Sequence, residues 1–450
     1  MVRESVDLLI EARWLLPMEP ADRVLERHSV AVRGGRICAL LPWQEAETRF
    51  EARERLRLHT HALLPGLVNL HTHAAMTLLR GLADDLPLME WLQKHIWPAE
   101  MRFVTPEFVY DGTLLACAEM IRGGVTCFND MYFFPEAAAK AALEAGMRAA
   151  IGMIVVDFPT PYAADPDDYL TKGMALRDQY RSNSLLSFCM APHAPYTVSD
   201  KTFGKMLTYA AQIQVPIHVH LHETEEEIRE SLRQHGVRPI ERLRRLGLLG
   251  PDLVAVHMVH LTPEEVDLVA CANASVVHCP SSNLKLASGF SPVAELMEHG
   301  VNVGLGTDGA ASNNRLDVFQ ELRTAALLAK AVSGRANALP AHRVLQMATL
   351  NGARALGLEN ETGSLLPGKS ADMVAVNLGT LELSPCYDPH SHLVYAAGRE
   401  HVSHVWVQGR LLLNEGRLTR LDVDEIIARA TRWGRRVAEA DGSAPEGRGQ

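Results

Sequence analysis

A chain of 450 residues with 47% hydrophobic residues can bury a large core, and its length suits one large domain with a smaller one beside it. The formal net charge of −10 and the lack of a basic cluster argue against nucleic acid as a partner, so a small-molecule substrate is expected. No apolar run approaches the ~20 residues of a membrane span and the N-terminus lacks a signal-peptide core, so the chain is expected to be cytoplasmic, without membrane association.

The first elements predicted along the chain are β-strands. Apolar and polar residues alternate over 6–16 and 29–41 without a helical period between them, and Gly34-Gly35 divides the second stretch at a turn. The N-terminal part is therefore predicted to form a β-sheet.

The next apolar run covers 63–70 and ends at His71-Thr72-His73. If this run is a β-strand, alternate side chains share a face, so His71 and His73 point the same way and can bind one metal ion. A short His-x-His pair also arises by chance, so the rest of the chain decides its meaning.

From about Gly66 onward, strand-like runs alternate with long helices. Helices are predicted at 106–122, 135–145, 200–214, 262–270 and 292–299. Repeated β/α units over roughly 300 residues predict an α/β fold, a (β/α)8 TIM barrel.

Three strand-like runs of this region end in residues that a metal-dependent hydrolase needs. They cover 215–224, 253–260 and 301–309, and their polar residues include His218, His220, His222, Glu223, His257, His260 and Asp308. Barrel strands present catalytic groups at their C-terminal ends, so these side chains are expected near the His-x-His pair.

After Gly357 the β-pattern returns over 371–376 and 402–413, and an amphipathic helix is predicted at 422–440. Both termini are therefore expected to build one composite β-sandwich domain beside the barrel.

These patterns also predict domain boundaries. The composite β domain would consist of 1–64 and 364–420, and the barrel domain of 65–363. The remaining stretch, 421–450, would hold the C-terminal helix and a disordered tail at 442–450.

Segments spread over nearly the whole chain resemble the amidohydrolase superfamily: 64–73, 220–223, 306–308 and 363–372. Three more segments resemble the branch of that superfamily that includes methylthioadenosine/S-adenosylhomocysteine deaminases, chlorotriazine hydrolases and guanine deaminases: 81–92, 192–197 and 278–286. The resemblance implies the barrel with a composite β domain that is typical of the superfamily.

The resemblance also implies one bound divalent metal ion, expected to be Zn²⁺, with Fe²⁺ or Mn²⁺ acceptable to the same ligands. Its ligands would be three imidazoles and one carboxylate: His71, His73, His220 and Asp308. His218 and His222 share strand parity with His220, and the spacing to Glu223 favours His220. The run 185–191 carries no lysine that could bridge two metals, so a mononuclear site is expected.

A mechanism follows from these residue types. Water on such a metal has a pKa near ~7, so hydroxide is available at neutral pH, and Asp308 can take the proton that water releases. Glu223 can protonate a ring nitrogen as carbon is attacked, and zinc deaminases of other folds likewise use a glutamate that is not a ligand. His257 would orient the hydroxide or stabilise the developing charge. The expected reaction is hydrolysis of an exocyclic amine.

Substrate contacts are implied by the resemblance as well. Besides Glu223 and Asp308, Glu100 would hold ribose hydroxyls, His193 would hydrogen-bond the substrate, and Arg148 would contact the sugar side or a distal carboxylate.

The implied activity is deamination of 5′-methylthioadenosine and S-adenosylhomocysteine to inosine derivatives. The alternatives are a triazine chlorohydrolase or a guanine deaminase of the same branch, and more remotely a non-catalytic scaffold, against which the full ligand set argues. The size is compatible with a homo-oligomer.

Other polar residues have simple structural interpretations. His218 is expected to be a packed barrel histidine, and His260 a structural hydrogen-bonding group. Glu225, Glu226 and Glu227 are interpreted as a solvated first helical turn that favours the helix dipole.

Overall fold

The structure is a computed structural model that describes residues 3–440, and the predicted tail at 442–450 lies outside the described residues. The strands, in chain order, are β1 (Glu4–Leu15), β2 (Leu25–Arg33), β3 (Arg36–Pro42), β4 (Phe50–Pro65), β5 (Leu67–Thr72), β6 (Val125–Asp130), β7 (Arg148–Val155), β8 (Leu186–Pro192), β9 (Ile217–Leu221), β10 (Leu253–His257), β11 (Ser275–His278), β12 (Asn302–Leu305), β13 (Met373–Asn377), β14 (Val402–Val407), β15 (Arg410–Asn414) and β16 (Arg417–Leu418).

The α-helices, in chain order, are α1 (Trp43–Arg49), α2 (Leu88–Trp91), α3 (Trp97–Phe103), α4 (Pro106–Arg122), α5 (Pro135–Ala145), α6 (Pro166–Tyr180), α7 (Asp200–Ile213), α8 (Glu225–His235), α9 (Pro239–Arg245), α10 (Pro263–Cys271), α11 (Pro280–Lys285), α12 (Val293–Glu298), α13 (Val318–Ser333), α14 (Ala341–Met347), α15 (Leu350–Ala355), α16 (Pro389–Tyr395) and α17 (Val423–Ala440). Short 3₁₀ helices lie at Ala74–Leu79 and Arg399–His401, and a π-helical turn at Leu92–Ile96 joins α2 to α3.

Eight strands, β5 to β12, form one parallel sheet in which each strand lies beside its neighbour in the chain. The first strand, β5, and the segment after the last strand, β12, are joined by a hydrogen bond. The backbone N–H of Asp308 donates to the carbonyl oxygen of His71 at 3.0 Å. The backbone N–H of Thr307 also donates to the side-chain oxygen of Asn69 at 3.0 Å. The predicted TIM barrel is therefore confirmed.

The other eight strands come from both ends of the described chain and form a separate mixed sheet in the order β16-β15-β14-β13-β4-β1-β2-β3. The pair β1 and β4 is parallel, and the remaining neighbours are antiparallel. This confirms the composite β unit built from both termini, and the domain boundaries at 64/65 and 363/364 stay a prediction.

The apolar run 63–70 is divided between the two sheets instead of forming one strand, because β4 ends at Pro65 and β5 begins at Leu67. The residue between them, Gly66, packs so tightly that a Cβ added to it would lie 2.1 Å from the Thr126 side chain. A glycine is therefore required where the chain passes from one sheet into the other.

Threonine caps set where several helices begin. The hydroxyl groups of Thr105, Thr224 and Thr262 each accept a hydrogen bond from a backbone N–H of the first helical turn, at 3.2–3.3 Å. Thr224 caps α8, which begins at Glu225, so this cap fixes the end of the short link after β9 that carries Glu223.

The amphipathic helix predicted at 422–440 corresponds to α17, which packs on α4. The indole N–H of Trp433 donates to the carboxylate of Asp111 at 2.9 Å, and the ring of Phe108 contacts the same tryptophan edge to face. Within residues 3–440, no helix is both long enough and apolar enough to cross a membrane.

Candidate metal centre and active site

Strand ends at one edge of the barrel bring four donor groups together. His71 lies in β5, His73 follows that strand, His220 lies in β9, and Asp308 follows β12. The Nε2 atom of His71 lies 3.3 Å from Oδ1 of Asp308 and 3.2 Å from Nε2 of His220. The Nε2 atom of His73 lies 3.3 Å from the same Oδ1. The four residues predicted as metal ligands thus converge.

Hydrogen bonds at the far side of two of these rings fix their orientation. The Nδ1 atom of His73 donates to the carbonyl oxygen of Met131 at 2.6 Å, and that of His220 donates to the carbonyl oxygen of His193 at 2.7 Å. Because a carbonyl only accepts, each neutral ring carries its proton on Nδ1 and presents a lone pair on Nε2. Both Nε2 atoms therefore face the donor cluster that contains Asp308.

The donor set fits a divalent cation such as zinc. Three imidazole nitrogens and one carboxylate oxygen are ordinary zinc ligands. Burial lowers the pKa of His71 to about 4, so its ring is neutral at physiological pH. Burial acts to raise the pKa of Asp308, but the interactions of its carboxylate with the surrounding imidazoles, above all that of His71, outweigh it, so the pKa lies well below its ordinary value. An ionised carboxylate and neutral imidazoles are the forms that bind a metal.

The other two histidines that share strand parity with His220 are engaged elsewhere. The Nε2 atom of His218 lies 3.0 Å from Nδ1 of His71, behind the donor cluster. The Nδ1 atom of His222 donates to the carbonyl oxygen of His260 at 2.9 Å, and its Nε2 accepts from the backbone N–H of Ile240 at 3.0 Å. Both ring nitrogens of His222 are therefore used inside the protein.

Helix α11 supplies two partners to which the sequence analysis assigned no role. The hydroxyl of Ser282 donates to Oδ2 of Asp308 at 2.6 Å, and Oδ1 of Asn283 accepts from Nδ1 of His257 at 2.8 Å. Both residues lie within the segment 278–286 that the resemblance singled out, and small polar residues just after a barrel strand end were the available signal. One short helix thus orients two site residues at once.

Glu223 and His257 lie beside the donor cluster, as predicted. The Nε2 atom of His257 lies 3.8 Å from Oε2 of Glu223, and both side chains are buried. The ring of His257 also approaches His71 and His220, with which it forms a second set of donor atoms within 4.8 Å of one another. Burial raises the pKa of Glu223, which favours the protonated acid that a general acid requires.

A cavity opens above this cluster. Its floor is polar and is formed by His73, His193, His220, Glu223, His257 and Asp308. Its outer wall is apolar and includes Trp91, Trp97, Met101, Phe133, Ile154 and Phe158. Among the described residues that line the cavity, none is a lysine or an arginine. The cavity therefore combines a polar reaction centre with a largely apolar outer part.

The structure brings His193 and Glu100 to this cavity. Burial lowers the pKa of His193 to about 3, and its Nδ1 lies 3.1 Å from the hydroxyl of Thr197. Glu100 lies on α3 and accepts a hydrogen bond from the hydroxyl of Tyr132 at 2.8 Å. Burial raises the pKa of Glu100 to about 7, and the Tyr132 hydrogen bond acts against this rise.

Arg148 is not brought to the cavity, so its predicted contact with substrate is corrected to a structural role. It is the first residue of β7, at the opposite end of the strand from the cavity. Its Nε donates to the carboxylate of Asp372 at 2.9 Å. Its other guanidinium nitrogens donate to the carbonyl oxygen of Ser184 and to the hydroxyl of Ser370. The pair joins the barrel to the segment that precedes β13.

Replacing Arg148 with Ala is expected to lower the free energy of unfolding by about 3–5 kcal/mol, because Asp372 would keep a buried charge without its partner. The KM for substrate should stay unchanged. Unfolding curves and steady-state kinetics check both expectations, with the exposed Arg229→Ala variant as a control. A raised KM with unchanged stability would return Arg148 to the substrate site.

Comparisons with known proteins agree with this architecture. The Amidohydrolase family matches residues 62–412. A 5-methylthioadenosine/S-adenosylhomocysteine deaminase of Saccharophagus degradans is 50% identical over 96% of this chain and 97% of that protein. A 5′-deoxyadenosine deaminase of Methanosarcina mazei is 42% identical over 94% of this chain and 96% of that protein. The crystal structure of an adenosine deaminase from Xanthomonas campestris with bound zinc superposes with a TM-score of 0.96 at 50% identity, covering 97% of this chain and 100% of that chain. By sequence and by fold, the chain belongs to the amidohydrolase family.

Proposed function

We propose that the protein is a zinc-dependent hydrolytic deaminase that converts 5′-methylthioadenosine and S-adenosylhomocysteine to the corresponding inosine derivatives and ammonia. The observation that carries the proposal is a buried Glu223 beside His257 and Asp308 at the floor of a cavity with an apolar outer wall. The deaminases from Saccharophagus degradans and Methanosarcina mazei support the same class of substrate.

In this proposal His71, His73, His220 and Asp308 hold the metal. When bound, a divalent ion lowers the pKa of water and so supplies a nucleophile at neutral pH. Burial lowers the pKa of His71 and of His220, and the ring hydrogen bonds described above limit rotation of the imidazoles. The protein thus contributes a donor set whose orientation is fixed before the ion enters.

The remaining chemistry is proton transfer by the side chains. Attack forms a C–O bond at the amine-bearing carbon, and Asp308 accepts the proton that the water gives up. Glu223 donates a proton to the adjacent ring nitrogen, which makes the carbon more electrophilic. The Nε2 atom of His257 orients the attacking oxygen, while its Nδ1 donates to Oδ1 of Asn283. The C–N bond then breaks as the C=O bond forms, and the amine leaves as ammonia with the proton that Asp308 had accepted. The hydroxyl proton returns to the Glu223 carboxylate, so both carboxyl groups regain their starting protonation.

The cavity suits a purine nucleoside with an uncharged 5′ substituent. Glu100 offers a carboxylate to the ribose hydroxyls, and Trp91 and Phe158 offer apolar surface to a thioether. Because no lysine or arginine is among the described lining residues, the methylthio group has better complementarity than the charged homocysteine of the larger substrate. We therefore expect a higher kcat/KM for 5′-methylthioadenosine than for S-adenosylhomocysteine.

The test is ammonia release from 5′-methylthioadenosine, S-adenosylhomocysteine, adenosine, guanine and a chlorotriazine. Each substrate is assayed with zinc-loaded protein and with chelator-treated protein, and zinc is added back to the second sample. Zinc-dependent release from the thioether nucleosides supports the proposal. Activity on guanine or triazine alone would change the substrate and keep the chemistry, and inactivity on all five would overturn the proposal.

Replacing Glu100 with Ala is expected to lower kcat/KM for the nucleosides by about 10- to 100-fold, because a hydrogen bond to a charged group contributes about 1.5–3 kcal/mol. Deamination of free adenine should change much less, since adenine has no ribose. Kinetics on both substrates check the difference, and the exposed Glu107→Ala variant in the next helix serves as the control. Equal losses on nucleoside and base would mean that Glu100 does not contact ribose.

A further inference from the structure

Glu227 differs from its acidic neighbours in the first turn of α8. The sequence interpretation placed it in a solvated turn, but its side chain is buried and only 6% exposed. Its Oε1 accepts the backbone N–H of His222 at 2.9 Å, and its Oε2 accepts the backbone N–H of Glu223 at 2.8 Å. Glu225 and Glu226, by contrast, are exposed, as expected.

These two hydrogen bonds hold a turn that is costly for the backbone. His222 has a φ of +55°, in the left-handed region that residues with a Cβ rarely adopt. The carbonyl oxygen of His222 accepts the backbone N–H groups of Val259 and His260, so the other side of the peptide is held as well. Thr224 closes the turn by accepting the backbone N–H of Glu227 at 3.2 Å.

The position of the turn determines where Glu223 points. Its carboxyl group lies 3.8 Å from Nε2 of His257, and the backbone N–H groups of Glu223 and of the residue before it are the two that Glu227 binds. A carboxylate at Glu227 has two acceptor oxygens, and each is matched to one N–H group. A glutamine at this position could accept from only one of the two backbone N–H groups. Its own NH₂ group would face the other N–H, and two donors cannot form a hydrogen bond with each other.

We propose that Glu227 is a positioning residue that holds the backbone of His222 and Glu223 so that the Glu223 carboxyl group reaches the substrate. The inference rests on the proposed function, in which Glu223 delivers the proton. It assigns no proton transfer to Glu227, which acts only through its backbone contacts.

The first test compares Glu227→Gln with Glu226→Gln, which makes the same change at the exposed neighbouring position. In Glu227→Gln we expect kcat for 5′-methylthioadenosine to fall by about 10- to 100-fold, as for other groups that orient a reacting residue. The KM should change by less than about twofold, and the zinc content should stay at the wild-type level. Glu226→Gln should match the wild type, and an unchanged kcat in Glu227→Gln would overturn the proposal.

A double-mutant cycle separates positioning from general stabilisation of the fold. If Glu227 acts only through Glu223, Glu227→Gln should have little further effect on the residual rate of Glu223→Gln. The same fold loss in both backgrounds would contradict the proposal. A thermal midpoint lowered without a fall in kcat would likewise leave Glu227 with a purely structural role.

Amide hydrogen exchange tests the contact without reference to activity. Peptides that cover 221–226 should exchange faster in Glu227→Gln than in the wild type or in Glu226→Gln, because two amide groups lose or weaken their acceptor. Unchanged exchange would overturn the proposal whichever substrate the enzyme takes. Failure of the proposed function would instead appear as an inactive wild-type protein, so the two failures are distinguishable.

Discussion

Replacing Glu223 with Gln is expected to lower kcat for ammonia release by about 10²- to 10⁴-fold, the contribution typical of a general acid or base. Glutamine keeps the shape and the hydrogen-bonding size of the side chain but cannot donate an acidic proton to the ring nitrogen. The carboxyl group is outside the two sets of candidate metal donors, so the zinc content should stay unchanged.

Steady-state kinetics and elemental analysis of the same preparations measure the two quantities together. Glu225→Gln is the matched control, because it makes the same change on an exposed side chain two residues later. Loss of zinc from Glu223→Gln would indicate that the glutamate is a ligand. Retention of full activity would exclude it as the proton donor.

The boundaries of two barrel helices could be predicted from local sequence signals alone. The predictions at 106–122 and 135–145 match α4 and α5 residue for residue, because a proline begins each helix and a glycine follows each C-terminal end. The residue after α5, Gly146, has a φ of +78°, which is the left-handed ending that favours glycine. Such boundaries depend on nearest neighbours and are therefore visible in the sequence.

Elements that depend on partners were harder to predict. The long strand β4 was missed over most of its length, because exposed charged residues on both of its faces, such as Arg53 and Glu54, leave no alternation of apolar and polar residues there. The division of the run 63–70 at Gly66 was missed, because the contact that requires a glycine there is with Thr126, which is distant in sequence. Tertiary packing, which the local pattern does not contain, decided both cases.

Some residues of the candidate site could likewise be predicted from the sequence, and others could not. Residues at strand ends, such as His220 and His257, could be predicted to meet because a parallel barrel directs all its C-terminal ends to one edge. Arg148 was assigned wrongly because it begins its strand and so lies at the other edge. Glu227 was interpreted as solvated because burial of a carboxylate against backbone N–H groups depends on the turn that precedes its helix.

Replacing Asp308 with Asn is expected to lower both zinc content and kcat, the latter by about 10⁴-fold or more. This is the upper end of what one proton-transferring group contributes, and the same substitution also weakens metal binding. The amide would remove a negative charge that lies 3.3 Å from Nε2 of His71 and of His73. It would also replace the only carboxylate among the four proposed ligands.

Excess zinc separates the two roles of Asp308. If the carboxylate only binds the metal, saturating zinc should restore most of the activity of Asp308→Asn; if it also accepts a proton, activity should stay low when the zinc content is restored. Asp267→Asn makes the same change on an exposed carboxylate and should behave as the wild type. A variant that retained both zinc and turnover would remove Asp308 from the site. Because Glu223→Gln is expected to keep zinc and Asp308→Asn to lose it, the pair of variants distinguishes proton delivery from metal binding in one assay.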